Sequence, residues 1–415
     1  MKPAPRVAIV SLGCPRNLVD SEQMLGRLAA SGLRITELAD ADTAIVNTCA
    51  FIEEAKRESI DTILELVRLK KNKRLARVIV CGCLVQRYKD SLAKLLPEVD
   101  AFVGPPRLSA CSTRVGITPA HFAYLKICEG CVNNCSFCVI PAIKGSVRSL
   151  SAGDVLTQVR RFDAARISEL NIIGQDITGY GLDRCRKPQL ADLLAKILKN
   201  SPHIHWVRLL YLYPARISDE LLALIRDDPR VCKYIDLPVQ HINDRILKAM
   251  NRHTTGSRIR KLIEKVRKVI PGVALRTSII VGFPSETDKE FKELLSFIRE
   301  TKFERLGAFM YSREEGTRAY RLAGQLPRRV KESRFNRVMQ AQQEVSREVN
   351  RRFLGSTLEV LIEEKEHDHY LGRTQYDAPE VDGLVFVRTQ QRLVPGEFVR
   401  ARIVDTLEYD LVGEA

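Results

Sequence analysis

Residues 131–138 of the chain read Cys-Val-Asn-Asn-Cys-Ser-Phe-Cys. Three cysteines therefore stand at C-x3-C-x2-C spacing, and the aromatic Phe137 directly precedes the last of them. A strand-like run at 123–127 leads into this segment, and Gly145 and a helix predicted to begin near Ser151 lead out of it. Such a loop can hold three irons of a cuboidal iron–sulfur cluster through thiolates. The fourth iron then has no protein ligand in the loop, so it can chelate a small molecule and pass it one electron.

Zinc and disulfide interpretations fit this loop less well. Structural zinc sites favour paired C-x2-C knuckles and need a fourth ligand. Disulfide frameworks belong to exported proteins, and residues 1–6 lead directly into a predicted strand without a signal-peptide core. Eleven cysteines in a chain expected to be cytosolic indicate metal or redox chemistry.

Composition predicts an ordinary soluble protein of two or three domains. The chain has 415 residues, of which 45% are hydrophobic and 28% are charged. No apolar run approaches the roughly 20 residues that a membrane-spanning helix needs. We therefore expect no membrane segment.

The formal charge of +15 is unevenly distributed along the chain. Residues 355–415 contain six basic and thirteen acidic residues, a net charge of −7, which leaves +22 on the rest. One interpretation is a generally basic proteome. The other is a basic body that works near RNA, with an acidic module that engages a basic partner.

The first 110 residues predict alternating strands and helices, which is typical of a parallel sheet covered on both faces. Just past the ends of three successive predicted strands stand Cys14, Cys49 and Cys83. Open α/β sheets bind their ligands at that edge, so the three thiols are candidates for a second cluster with an open iron. The alternative is three separate structural cysteines, because free cysteine is often buried.

The middle of the chain predicts six further strand–helix units, which suit an open barrel of six parallel strands. The strands are expected at 124–127, 169–173, 206–210, 234–237, 275–281 and 305–310. Active residues should lie towards the carboxyl ends of these strands, by analogy with closed barrels. Gln175, after the second strand, and Arg276, on the fifth, are candidates to bind a small-molecule cofactor. Cys128 stands three residues before Cys131, but the spacing of the loop is complete without it, so we expect it to be a structural residue at a strand end. Cys111, Cys185 and Cys232 have no partners at metal spacing and are also predicted to be structural.

The last sixty residues predict short strands separated by turns, which suit a small five-stranded barrel of the OB type. We expect three domains in all. They comprise residues 1–115 with the α/β sheet, residues 116–350 with the open barrel, and residues 351–415 with the small β-barrel.

The cysteine loop resembles the signature of radical S-adenosylmethionine enzymes, which implies a 4Fe-4S cluster on Cys131, Cys135 and Cys138. In that family the open iron chelates S-adenosyl-L-methionine, and its reductive cleavage gives a 5′-deoxyadenosyl radical. The resemblance also implies that Phe137 packs beside the cluster, with its backbone near the adenine.

Three motifs of the first domain resemble those of the methylthiotransferases, and more narrowly of the RimO branch. They begin at Ser11 (SLGCPRNLVDSE), Asn47 (NTCAFI) and Gly82 (GCLVQRY). The third motif has its cluster ligand directly after glycine, which favours Cys83 over its neighbour Cys81. Further runs similar to RimO are RLLYLYP, DLPVQH, VGFPSET and GRTQYDAPEVDG, and the C-terminal module is similar to a TRAM domain.

This resemblance implies a radical enzyme that adds a methylthio group to the β-carbon of one aspartate in the small-subunit ribosomal protein of the decoding centre. It implies two 4Fe-4S clusters, S-adenosyl-L-methionine, a low-potential electron donor and a sulfur donor. We expect a cytoplasmic monomer. The acidic module is hypothesised to bind the basic ribosomal protein.

Two other functions stay open at this point. The sister activity, methylthiolation of a modified adenosine in tRNA, uses the same clusters and suits the +22 body. The Cys-Pro-Arg-Asn run at 14–17 and the acidic module argue against it. An iron–sulfur protein that binds ribosomes or RNA without catalysis is the third possibility, which the complete radical loop disfavours.

Overall fold

The computed structural model describes residues 4–109 and 113–415, so Cys111 lies outside the described residues. Within these ranges no helix combines the length and the apolar character that crossing a membrane requires. Cys128 and Cys232 are buried, as expected of structural cysteines, whereas Cys185 is exposed.

The N-terminal body is a five-stranded parallel sheet with the order β2-β1-β3-β4-β5. Its strands are β1 (Arg6–Ser11), β2 (Arg34–Ile35), β3 (Thr43–Thr48), β4 (Arg77–Gly82) and β5 (Ala101–Val103), and its helices are α1 (Pro15–Ala30), α2 (Glu53–Lys71) and α3 (Cys83–Leu95). Proline is the first residue of α1. Its missing backbone N–H costs no hydrogen bond there, because an N–H at the first helical position has no intrahelical partner. The short edge strands β2 and β5 add to the three strands that the sequence predicted.

The middle body is the open six-stranded barrel that the sequence predicted. Its parallel strands are β6 (Phe122–Lys126), β9 (Glu169–Ile173), β10 (Trp206–Leu209), β11 (Tyr234–Asp236), β12 (Ala274–Val281) and β13 (Arg305–Met310), and a short hairpin pairs β7 (Cys128–Glu129) with β8 (Arg148–Ser149). Two three-stranded sheets form the barrel, and one bridge between Val207 and Val231 joins them. Among the described residues, no strand pairing joins β13 to β6, so the barrel stays open on that side.

Nine helices are described after the N-terminal body. They are α4 (Ile140–Lys144), α5 (Ala152–Ala164), α6 (Leu182–Cys185), α7 (Leu190–Lys199), α8 (Asp219–Asp227), α9 (Asp244–Ala249), α10 (Gly256–Val269), α11 (Asp288–Thr301) and α12 (Arg328–Asn350). The largest apolar core of the described chain lies between the outer face of the barrel strands and these helices. The inner face carries the polar residues of the cavity.

The C-terminal module is a closed barrel of five strands in the order β14-β15-β16-β18-β17. They are β14 (Thr357–Glu366), β15 (His369–Thr374), β16 (Val385–Arg388), β17 (Phe398–Thr406) and β18 (Leu411–Glu414). The pairings are antiparallel except that of β16 with β18. The small β-barrel expected from the turn pattern is therefore confirmed.

The loop at 375–382 docks this module against the amino-terminal end of the six-stranded barrel. Arg305 and Asp377 form a buried ion pair across the interface, with an Nε–Oδ1 distance of 2.8 Å. Arg373 of the module and Arg208 of β10 both bind the buried carboxylate of Glu169, at 2.6 and 2.7 Å. Buried charges are tolerated only when they are paired in this way.

Much of the module's negative charge faces the chain itself. Six of its thirteen acidic residues contact basic or phenolic groups outside the module, namely Glu359, Glu363, Asp377, Glu380, Asp382 and Glu408. The net charge of −7 therefore overstates the charge that the module presents to a partner.

Replacing Asp377 with alanine should weaken the docking of the module. The change leaves the Arg305 guanidinium buried without its carboxylate, which costs about 3–5 kcal/mol. The single tryptophan of the chain, Trp206, packs on Phe398 of the module with ring centroids 4.8 Å apart. Its fluorescence in a urea titration therefore reports docking. Glu408→Ala is the control, because the Arg347–Glu408 pair is half-exposed and should contribute less than about 1 kcal/mol; equal shifts in the two variants would contradict the prediction.

Candidate radical and auxiliary cysteine site

The cysteine loop at 131–138 lies between strand β7 and helix α4, above the carboxyl ends of the barrel strands. Its backbone is fixed from both sides: Cys131 N–H donates to Gly145 O at 3.2 Å, and Ser136 N–H donates to Met250 O at 2.9 Å. Ala319 N–H in turn donates to Ser136 O at 2.8 Å. The loop is therefore a rigid cradle that the rest of the barrel holds in place.

Two neighbouring residues offer N–H groups to the sulfurs of this loop. The backbone N–H and the side-chain amide of Asn133 both lie 3.4 Å from Cys131 Sγ. Arg252 Nη1 lies 3.7 Å from Cys135 Sγ. Donors of this kind stabilise an anionic thiolate. They also tune the reduction potential of a cluster that the thiolate binds.

Asn133 belongs to a polar network that sequence reasoning did not identify. Its side-chain amide donates to Asp176 Oδ2 at 2.7 Å, and its Oδ1 accepts from Arg216 at 2.8 Å. Arg216 also forms an ion pair with Asp176. Asp176 follows the candidate Gln175 at a strand end, which was a usable signal. Arg216 ends a short 3-10 turn and Arg252 stands in a loop, and neither belongs to a recognisable sequence pattern.

Cys14, Cys49 and Cys83 meet at the carboxyl edge of the N-terminal sheet, as the strand ends predicted. Cys14 is the residue before α1, Cys49 follows β3, and Cys83 opens α3. Two glycines permit this approach. Gly13 has φ +87°, and a Cβ there would stand 2.7 Å from Cys49 Cβ. Gly82 has φ +98°, and a Cβ there would meet the backbone of Thr48.

Asn17 ties the three cysteine-bearing loops together. Its side-chain amide donates to Leu12 O at 3.1 Å and to Thr48 O at 2.9 Å. Its Oδ1 faces the Cys83 thiol at 3.7 Å. One buried side chain near the start of α1 therefore contacts a residue of each of the three loops. It fixes the positions of the three cysteines relative to one another.

Cys81 lies on the other face of the sheet. Its sulfur contacts Met24 Sδ at 3.9 Å and packs with Val7 and Ile45 in a small separate apolar cluster. Residues two apart on a strand point to the same face, but β4 ends at Gly82, whose φ of +98° turns the chain, and Cys83 opens α3. The turn at Gly82 therefore separates the two side chains. The structure brings Cys83, and not Cys81, to Cys14 and Cys49.

Burial controls the ionisation of most of these thiols. Burial raises the pKa of Cys83 to about 12 and that of Cys138 to about 12. Burial also opposes ionisation of Cys14, but the Arg16 guanidinium and the N–H groups of Asn17 and Arg16 outweigh it and lower the pKa. Because metal binding releases thiol protons, an iron cluster supplies the positive charge that Cys83 and Cys138 need to ionise.

Arg16 stands between the two cysteine sets. Its Nη1 donates to Gly174 O at 3.0 Å, which crosses from α1 to the end of β9. Its guanidinium lies 4.4 Å from the centroid of the Tyr211 ring. The same charge acts on the thiols of Cys14, Cys49 and Cys138, so both sets share one electrostatic environment.

Four buried charges also join the two sets. Lys144, in the helix after the cysteine loop, contacts Glu129 at 2.8 Å and Asp20 at 3.2 Å. Lys126 of β6 contacts Glu129 at 3.5 Å and also binds Asp20. We call these four residues the buried quartet. It balances two lysines against two carboxylates, and it attaches α1 to the segments just before and just after the cysteine loop.

A cavity of about 630 Å³ opens beside the cysteine loop, with walls from all three parts of the chain. It is lined by Cys131, Cys135 and Cys138, by Arg16 near the auxiliary set, and by the predicted residues Phe137, Gln175 and Arg276. Phe137 packs against the cluster of Phe283 and Tyr311. Gln175 Oε1 has no hydrogen-bond partner within the described protein and is available to a ligand.

Arg276 lines the cavity, but two carboxylates engage it. Its Nη1 lies 3.2 Å from Asp236, and its Nε lies 3.3 Å from Asp382 of the docked module. The triad carries a net negative charge, so it is a poor site for another carboxylate. It suits a neutral acceptor such as a hydroxyl or a peptide carbonyl.

The donor set fits iron–sulfur clusters better than a single ion. Over residues 4–109 and 113–415, no three His, Cys, Asp or Glu side chains are grouped so that they could hold one metal ion. Zinc needs every sulfur about 2.3 Å from the same ion. In a cuboidal cluster each thiolate binds its own iron, so the thiols stand further apart, and the loop geometry and N–H donors described above suit that arrangement.

Comparisons with known proteins agree with this arrangement. Family models match residues 6–104 (uncharacterized protein family UPF0004), 125–298 (radical SAM superfamily) and 354–415 (TRAM domain). A solved structure of the radical S-adenosylmethionine methyltransferase TsrM from Kitasatospora setae, with cobalamin and a [4Fe-4S] cluster bound, is similar at a TM-score of 0.53. It covers 75% of each chain at 13% identity, and it supports the fold alone.

The fold and the site thus define a radical S-adenosylmethionine enzyme. Over 99% of this chain and 98% of the relative, the sequence is 46% identical to the ribosomal protein uS12 methylthiotransferase RimO of Geobacter sulfurreducens. It is 44% identical to the protein of that name from Clostridioides difficile, over 99% and 98%. The chain belongs to the RimO family of methylthiotransferases, and the resemblance predicted from its motifs is confirmed.

Replacing Cys83 with serine should remove iron from the protein, whereas Cys81→Ser should not. The reason is the direction of the two side chains: the Cys83 thiol faces Asn17 and the auxiliary set, and the Cys81 thiol faces Met24. The measurement is iron and acid-labile sulfide per chain after anaerobic reconstitution. Iron loss of the same size in both variants would contradict the assignment.

Proposed function

We propose that this chain transfers a methylthio group to ribosomal protein uS12, at the β-carbon of one aspartate. The observation that supports this most strongly is that one set of three cysteines lines the cavity, and that Arg16, which also lines it, acts on the thiols of Cys14 and Cys49 in the other set. A β-C–H bond beside a carboxylate is barely acidic, so general-base chemistry is unpromising at that carbon. A radical cofactor on one side and a sulfur-bearing cluster on the other are what the reaction needs.

We infer that Cys131, Cys135 and Cys138 bind one 4Fe-4S cluster, and that Cys14, Cys49 and Cys83 bind a second. S-Adenosyl-L-methionine, when bound at the first cluster, supplies the radical that removes hydrogen from the substrate carbon. Phe137 and Gln175 line the space beside that cluster and are the proposed contacts of the cofactor. Arg276 is a proposed contact for a hydroxyl or carbonyl, because its two carboxylate partners hold it in place.

The residues around the cavity orient and shield these groups. Asn133 and Arg252 donate N–H groups to the sulfurs of Cys131 and Cys135. Phe137 packs with Phe283 and Tyr311 and keeps water from one side of the loop. A reactive carbon radical survives only where water and competing hydrogen donors are excluded.

Each domain has a separate proposed role. Residues 1–115 hold the auxiliary cluster, residues 116–350 hold the radical cluster and its cofactor, and residues 351–415 close the amino-terminal end of the barrel. The chain acts as a monomer and takes electrons and sulfur from external donors. The proposed substrate assigns the reaction to the cytoplasm.

A paired mass analysis tests the proposal. Anaerobically reconstituted protein, S-adenosyl-L-methionine, sulfide and reductant are incubated with uS12 in one tube and with unmodified tRNA in another. We expect the mass of a methylthio group on one aspartate of uS12 and no change in tRNA. Modification of adenosine instead, or S-adenosylmethionine turnover without either product, would overturn the proposal.

A further inference from the structure

Three of the apolar side chains that line the cavity are exposed, and each belongs to a different part of the chain. Phe51 follows β3 in the N-terminal body and is 41% exposed, and Phe309 of β13 is 48% exposed. Val381 belongs to the docked loop of the C-terminal module and is 57% exposed. We call these three residues the apolar rim.

The surrounding structure holds the rim in place. Phe309 stands opposite Ile280 in the β12–β13 pairing. The segment before Phe51 is fixed by Arg87, which donates to Ala50 O at 3.0 Å. Binding sites are typically concave and lined mainly by apolar side chains with a few well-placed polar groups, which describes this part of the cavity wall.

Both neighbours of Val381 are anchored inside the six-stranded barrel. Glu380 accepts a hydrogen bond from the Tyr124 hydroxyl at 2.9 Å, and Asp382 accepts one from the Tyr234 hydroxyl at 2.6 Å. Val381 therefore keeps its place in the cavity wall only while the module is docked. Two of the acids that give the module its charge serve this purpose.

The charges around the cavity favour a protein loop over a nucleic acid as the occupant of the rim. RNA binding draws on basic groups that are free to meet phosphates. The three arginines that line the cavity are engaged: Arg16 with Gly174 and Tyr211, Arg252 with Pro238 and Tyr213, and Arg276 with two carboxylates. The other charged lining residues are acids.

We propose that the apolar rim binds apolar side chains that flank the modified aspartate in a loop of the substrate protein, and so determines which loop enters the cavity. This inference rests on the proposed function. It gives the C-terminal module a direct part in substrate recognition through Val381, in place of the electrostatic part that its net charge suggested. Burying a valine side chain contributes roughly 1.5 kcal/mol, which corresponds to about tenfold in binding.

The test compares Val381→Ser with Val394→Ser in the full, reconstituted chain. Both valines are exposed in the same module, at 57% and 61%, but Val394 is not part of the cavity wall. We expect Val381→Ser to raise the KM for uS12 about tenfold while kcat falls less than twofold, and Val394→Ser to change neither. Trp206 fluorescence checks that the module stays docked in both variants.

A second pair tests the rim from the N-terminal body. Phe51→Ser should raise the KM for uS12 about tenfold or more, whereas Leu95→Ser, at an exposed position on α3 outside the cavity wall, should not. Equal KM values within each pair would overturn the rim while leaving the proposed function intact. If the unaltered chain fails to modify uS12, the proposed function itself is overturned. If the rim variants bind tRNA more weakly but bind uS12 as the unaltered chain does, the occupant of the rim is RNA and the inference is wrong.

Discussion

The buried quartet of Asp20, Lys126, Glu129 and Lys144 fixes the relation between the two halves of the site. Its four side chains are almost wholly removed from solvent, so each charge depends on the other three. Asp20 lies on the helix that begins beside Cys14, and the other three residues bracket the radical loop in sequence. One neutral set of buried charges thus sets the separation and orientation of the two cysteine sets.

The same principle operates at the other end of the barrel. Arg305 of the barrel would be unstable alone, and Asp377 of the C-terminal module neutralises it. Arg373 of the module is neutralised in turn by Glu169 of the barrel. The module is therefore part of the enzyme's interior and cannot be treated as an appended binding domain. Asp382 of the module contacts Arg276 in the cavity wall, so the module contributes directly to the cavity.

The sequence was sufficient for the fold because its signals are local. All six barrel strands lie within two residues of their predicted bounds, since buried parallel strands are apolar runs bounded by glycine and proline. The strand ends made Cys14, Cys49 and Cys83 candidates for one cluster, and the motif resemblance favoured Cys83 over Cys81. Helix α3 begins at Cys83, directly after β4, because the positive φ of Gly82 turns the chain without a linker.

The sequence could not predict which charged residues pair over long distances along the chain. The partners of Lys144 and Arg276 include Asp20 and Asp382, which are more than a hundred residues away, and no spacing pattern links them. The module's acids were interpreted as a surface charge because a count cannot show which of them turn inward. Arg252 and Asn133 likewise become recognisable only when the loop geometry places them beside the sulfurs.

Anomalous diffraction at the iron edge, from crystals of the anaerobically reconstituted chain, tests the central claim most directly. The account predicts two separate iron sites that face one cavity. One should lie beside Cys14, Cys49 and Cys83, and the other beside Cys131, Cys135 and Cys138. A single iron site, or a second one on the Cys81 face of the N-terminal sheet, would contradict it.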